Sequence, residues 1–182
     1  MRMFPIILAT LGVGAVILTA CDKPASDKPS SNAPVQPAAA IPASLFIAEA
    51  PADPKNVGEV KKNATAGQEV VITGRIGGSE APFVDGRAMF MLADVTTMKA
   101  CDEMGSDDHC AKPWDYCCEP RELLVANTCT VQVVGDDGRP LKATLKGAGN
   151  LADGSRVIIK GKVAQKADQT MVVNAEAIFV KS

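Results

Sequence analysis

Cys101, Cys110, Cys117 and Cys118, with Cys129 a short step beyond, place five of the chain's six cysteines in one stretch. The only histidine, His109, sits beside Cys110, and Met104 and several carboxylates share the segment. Two chemistries suit this set. Thiols in an oxidising compartment usually pair, so disulfides are the first expectation. Adjacent cysteines rarely bridge each other because the ring is strained, which directs Cys117 and Cys118 towards Cys101 and Cys110. Cys129 is then the odd thiol, buried in a strand as a small apolar residue. The alternative is a metal site for Zn or Cu, since thiolates, an imidazole, a thioether and carboxylates all ligate such ions. The spacings of nine, seven and one match no zinc knuckle, and convergence would require a loop. Thiol redox chemistry calls for an exposed low-pKa thiolate in a Cys-x-x-Cys motif or at a helix N-terminus, and neither is evident.

The only tryptophan, Trp114, and the only tyrosine, Tyr116, flank Asp115 just after Pro113. Their expected role is to pack the segment onto a domain; ligand contact is the alternative. Residues 96–128 carry seven acids and three bases, a formal charge of −4. So long a connection is functional or disordered far more often than it is a plain turn.

The elements around this excursion have to position it. Val57, Val60 and Ala64 follow helical spacing, predicting a short helix. Residues 68–76 read as a strand with Val70, Ile72 and Ile76 on one face and Arg75 on the other, ended by Gly77-Gly78. Residues 88–95 and 130–134 read as the next two strands, with the cysteine segment between them. Gly135-Asp136-Asp137-Gly138 has hairpin chemistry, making 141–145 its expected return strand. Residues 156–164 and 170–180 form a last pair, with Met171, Val173, Ala175, Ala177 and Phe179 expected on one face of the final strand. Five or six strands, short turns and one small helix predict an all-β fold: a small, closed or nearly closed OB-like barrel over 57–182, with the Cys-rich insertion between its second and third strands.

Glu69-Val70-Val71-Ile72-Thr73-Gly74-Arg75-Ile76, Phe90-Met91-Leu92-Ala93-Asp94 and Arg156-Val157-Ile158-Ile159-Lys160-Gly161-Lys162-Val163 resemble bacterial extracytoplasmic OB-fold proteins. The chain is also similar to predicted planctomycete-type lipoproteins that pair such a domain with a Pro-Trp-Asp-Tyr-Cys-Cys segment, here at 113–118. The resemblance implies a fold and an extracytoplasmic location, and no activity.

The N-terminus points the same way. Arg2 precedes an apolar run over 4–18, about the length of a signal-peptide core and short of the roughly 20 residues that span a bilayer. The run ends in Leu18-Thr19-Ala20-Cys21, a lipobox, so Cys21 is expected to carry the lipid and become the first mature residue. Residues 21–56 hold seven of the twelve prolines and read as a solvated tether. Leu45-Phe46-Ile47 interrupts it, either as an arm docked on the domain or as an apolar spot in a loop.

The chain is therefore read as a lipid-anchored protein of the cell membrane or outer membrane, facing the periplasm or extracytoplasmic space. Its expected role is a non-enzymatic binding or assembly module without a cofactor, meeting an envelope protein or small ligand, with the loop stapled by disulfides. The alternative is an extracytoplasmic Zn, Cu or small-ligand binder using the Cys/His loop. Nucleic acid is not an expected partner: the chain is mildly acidic, and outside the loop its mature domain offers only Phe83, Phe90 and Phe179 for base stacking. No Ser-His-Asp arrangement or phosphate-cradling glycine loop supports an enzyme.

Overall fold

Strand β2 (Glu69–Ile76) is rich in β-branched residues that fit a pleated, half-buried surface, and the barrel starts and closes on it. The computed structural model describes residues 40–104 and 110–181, so Cys21 and His109 lie outside the described residues. β2 pairs antiparallel with β3 (Met89–Ala93), and β3 with β4 (Thr128–Gln132). β4 runs parallel to β6 (Thr170–Val180), which pairs antiparallel with β5 (Arg156–Ala167). β5 returns antiparallel to β2 and closes a five-stranded ring, the topology of an OB-like barrel. A two-residue strand, β1 (Lys55–Asn56), adds to β2 in parallel just ahead of helix α1 (Val57–Asn63). A second helix, α2 (Arg121–Asn127), leads into β4. The expected fold class and the expected helix are both present, and the insertion leaves the barrel between its second and third strands.

Inward residues of all five strands fill one core, among them Ile72, Phe90, Val131, Ile159 and Val173. Cys129 is buried there as expected, opposite Leu92, and burial pushes its thiol up to about 12. Lys61 of α1 donates to Val125 O at 2.5 Å and Thr128 O at 2.6 Å, meeting carbonyls that the end of α2 leaves without helical donors.

Three expectations are corrected. The hairpin turn closes, with Gly138 N–H donating to Gly135 O at 2.9 Å, but 141–145 is not a strand. Pro140 removes a ladder donor, and after Leu141 the chain turns inward to bury Leu145 completely. In β6 the alternation holds from Met171 to Ala175 and then slips. Gly161 pairs with Ala175 and Lys160 with Ala177, so Glu176 is the extra residue of a bulge. Beyond it Ile178, rather than Ala177 or Phe179, enters the core.

The third correction concerns the tether, whose last part is packed structure. Ala43–Leu45 forms a 3₁₀ turn that puts Leu45 into the main core. Phe46 bridges Ile178, and Ile47 N–H donates to Ile178 O at 3.0 Å. The cause lies in the barrel. β4 accompanies β6 only as far as Asn174, leaving the later edge of β6 open to another strand. The apolar triplet therefore docks as an arm.

Candidate metal centre

The excursion begins at Asp94, whose buried carboxylate organises the turn out of β3. It accepts from Gly58 N–H at 2.9 Å, from Thr96 N–H at 2.8 Å and hydroxyl at 2.7 Å, and from Thr97 N–H at 3.1 Å. Burial alone would raise its pKa, but these four donors outweigh burial and hold it below the usual carboxylate range. Met98 and Ala100 then pack with Ala93 and Tyr116 in a second, smaller core supported by Leu123 and Leu124. Cys101–Glu103 follows as a 3₁₀ turn with Cys101 buried.

A charged fork holds that turn. Arg75, on the face of β2 turned away from the barrel core, donates through Nη1 and Nη2 to both oxygens of Asp102, each at 2.8 Å. Its Nε donates to Gly154 O at 3.1 Å. Glu103 bridges Arg156 and lies 3.8 Å from Arg75. The Arg75 side chain is only 10% exposed while Asp102 faces solvent, so the bidentate geometry gives the pair its direction. It seats the residue next to Cys101. The Arg75–Asp102 pair was not legible in the sequence. The one available sign was a basic residue on a strand face that an acidic insertion must cover.

The other half of the site is the turn Pro113–Asp115 and the residues after it. Tyr116 adopts a left-handed conformation, φ 58° and ψ 30°, uncommon outside glycine and asparagine. Its ring is wholly buried, which fixes the turn, and burial pushes its phenol up to about 12. Trp114 donates its indole N–H to Glu80 O at 3.1 Å, while Gly78 N–H donates to Trp114 O at 2.8 Å. Lys112 pairs with Glu80. Trp114 and Tyr116 thus fasten the segment to the barrel, the first of their two expected roles. An enclosed Tyr116 cannot touch a ligand unless the segment lifts off.

Together the two halves aim the cysteines at one place. Cys117 Sγ lies 3.5 Å from Cys101 Sγ, 3.6 Å from Cys110 Sγ and 4.0 Å from Cys118 Sγ. The sulfurs of Cys101, Cys117 and Cys118 all lie within 4.8 Å of one another. A disulfide needs about 2.05 Å. The expected bridges are therefore not formed, and Cys101, Cys110 and Cys117 carry thiols. The left-handed turn at Tyr116 is the physical reason: it points neighbouring cysteines at a common centre instead of sending each to its own partner. A tetrahedral ion with sulfurs at about 2.3 Å would hold them about 3.8 Å apart, close to the observed separations.

The cluster's electrostatics agree with that spacing. Burial would raise the Cys101 pKa, but hydrogen bonds from the Cys117 and Cys110 thiols and the Cys117 and Cys118 backbone amides outweigh it. Cys101 is held below the ordinary thiol value. Hydrogen bonding first to Cys101, then to Cys110 and Cys118, pushes Cys117 up to about 12. Cys101 is thus the first sulfur of the cluster to give up its proton, and a cation would compete with the remaining protons for the others. Cys101 is buried and Cys110 half-buried, whereas Cys117 and Cys118 are exposed, so the cluster opens to solvent on one side. No protein-family model, curated protein or solved structure matches this chain.

Proposed function

We propose that this protein is a lipid-anchored, extracytoplasmic, non-enzymatic binding module whose OB-like barrel presents a thiolate site for a soft metal ion. The observation that carries the reading is the convergence of three cysteine sulfurs, Cys101, Cys117 and Cys118, within 4.8 Å. Sulfur donors favour Zn(II) and Cu(I) over hard cations. The anchoring half of the reading rests on Leu18-Thr19-Ala20-Cys21 and on the proline-rich stretch that follows. Acyl chains on Cys21 would hold the module at a membrane stably, since two chains exceed the reversible binding of one.

Both halves are testable on the full-length chain purified anaerobically in detergent. Elemental analysis and native mass spectrometry are expected to find about one Zn or Cu per chain, lost on acidification as protons compete for the thiolates. A metal-free protein lighter by two hydrogens per bridge would overturn the metal reading. For the anchor, Cys21→Ala is expected to shift the protein from the detergent phase to the aqueous phase. Unchanged partitioning of that variant would show that Cys21 carries no lipid.

A further inference from the structure

We infer that the site is a three-sulfur Cu(I) centre formed by Cys101, Cys117 and Cys118, open to exchange of its ion with an incoming sulfur ligand. The inference rests on the metal-site reading above and narrows it to one ion, one ligand set and one behaviour. Three observations support it. First, among the described residues the mutually close group is the three sulfurs of Cys101, Cys117 and Cys118; Cys110 hydrogen-bonds to Cys117 at 3.6 Å without joining that group. Three thiolates complete a coordination shell for Cu(I), a soft ion of low coordination number. Structural Zn(II) takes four protein ligands in a closed tetrahedron. Second, Met104, three residues after Cys101, is one of two large apolar side chains exposed among the described residues. A thioether is a soft donor suited to Cu(I), and methionine is not among the usual ligands of Zn(II).

Third, the shell is lopsided. Cys101 is buried, and the Arg75–Asp102 fork holds the residue beside it. Cys117 and Cys118 face solvent at the outer edge of the segment. An incoming thiolate or thioether can therefore bond to the ion from the open side while Cys118 leaves it. The ion keeps its charge and no electron moves, so the exchange needs no oxidant or reductant. Cys101 stays bonded throughout, retaining the ion until the new ligand set is complete.

The test is an anaerobic titration of the reduced full-length protein in detergent with Cu(I) alone and with Zn(II) alone. Each is repeated for Cys101→Ser, Cys117→Ser, Cys118→Ser and Cys110→Ser, with circular dichroism confirming the barrel in each variant. One Cu(I) per chain is expected, with an X-ray absorption signature of three sulfurs. Affinity should fall about 100-fold or more for each of the three ligand variants, and only about tenfold for Cys110→Ser, the loss typical of an outer-shell partner. A free dithiol should remove the ion within minutes. A four-sulfur Zn(II) site that needs Cys110 as much as the others would overturn the Cu(I) assignment and leave the metal-site reading standing. Failure to retain either ion would overturn both.

Discussion

Leu45→Ala is expected to lower the melting temperature of the protein by about 10 °C. Leu45 belongs to the main core with 5% of its surface exposed, although it lies in a stretch whose proline content reads as tether. Truncating a buried leucine costs roughly 2 to 5 kcal/mol, the lost transfer energy plus the cavity left behind. For a domain of this size each kcal/mol moves the transition by roughly 3 to 5 °C. The neighbouring Ser44 is exposed, so Ser44→Ala should leave the melting temperature within about 1 °C, as surface changes of under 0.5 kcal/mol do. Differential scanning calorimetry of both variants decides the matter. A shift below about 2 °C for Leu45→Ala would mean that the arm contributes no core packing in solution, and residues before 51 would then be dispensable.

Gly77→Ala should detach the cysteine segment while sparing the barrel. A Cβ at position 77 would stand 2.4 Å from Trp114 O and 3.1 Å from Tyr116 Cε2, and the nearer of these is backbone that cannot rotate away. Overpacking of this kind costs about 1 to 3 kcal/mol, which lifting the segment relieves more readily than deforming β2. Trp114 reports the outcome directly because it is the only tryptophan. Its emission should move to longer wavelength as the indole leaves Glu80, and alkylation of Cys101 should accelerate as its cover opens. Metal affinity should drop about tenfold or more, as when an outer-shell support is removed. An unchanged emission spectrum, with wild-type alkylation kinetics, would show that the segment does not depend on its seat at Gly77.

The elements legible from the sequence are those specified by local period and punctuation. Val70, Ile72 and Ile76 alternate with outward residues, and Gly77-Gly78 stops the run, so β2 could be drawn almost to the residue. α1 follows from three apolar residues at helical spacing, and the position of the cysteine excursion follows from the strands on either side of it. Where the reading failed, a distant partner overrode the local pattern. The bulge at Glu176 is invisible in a sequence that goes on alternating. It exists because β5 and β6 must coil around a small barrel, with Gly161 so close to Asn174 that a Cβ would lie 2.1 Å from its carbonyl oxygen.

The candidate site divides in the same way. Residue type alone determined that this segment could bridge thiols or bind a metal, because cysteine chemistry allows both. Tertiary structure brings the sulfurs together, with no bridge among Cys101, Cys110 and Cys117. Cys101, Cys110, Cys117 and Cys118 lie nine, seven and one residues apart, a spacing that specifies no geometry. Their sulfurs meet because Asp102 is forked onto Arg75, 27 residues away in sequence, and because Tyr116, buried beside Ala93 and Met98, holds a left-handed turn against Gly77. Each of these contacts is made with a strand or loop remote in sequence, and none has a local signature. The donor atoms were therefore present in the sequence, while their distances were set only when the barrel closed and gave the insertion a surface to pack against.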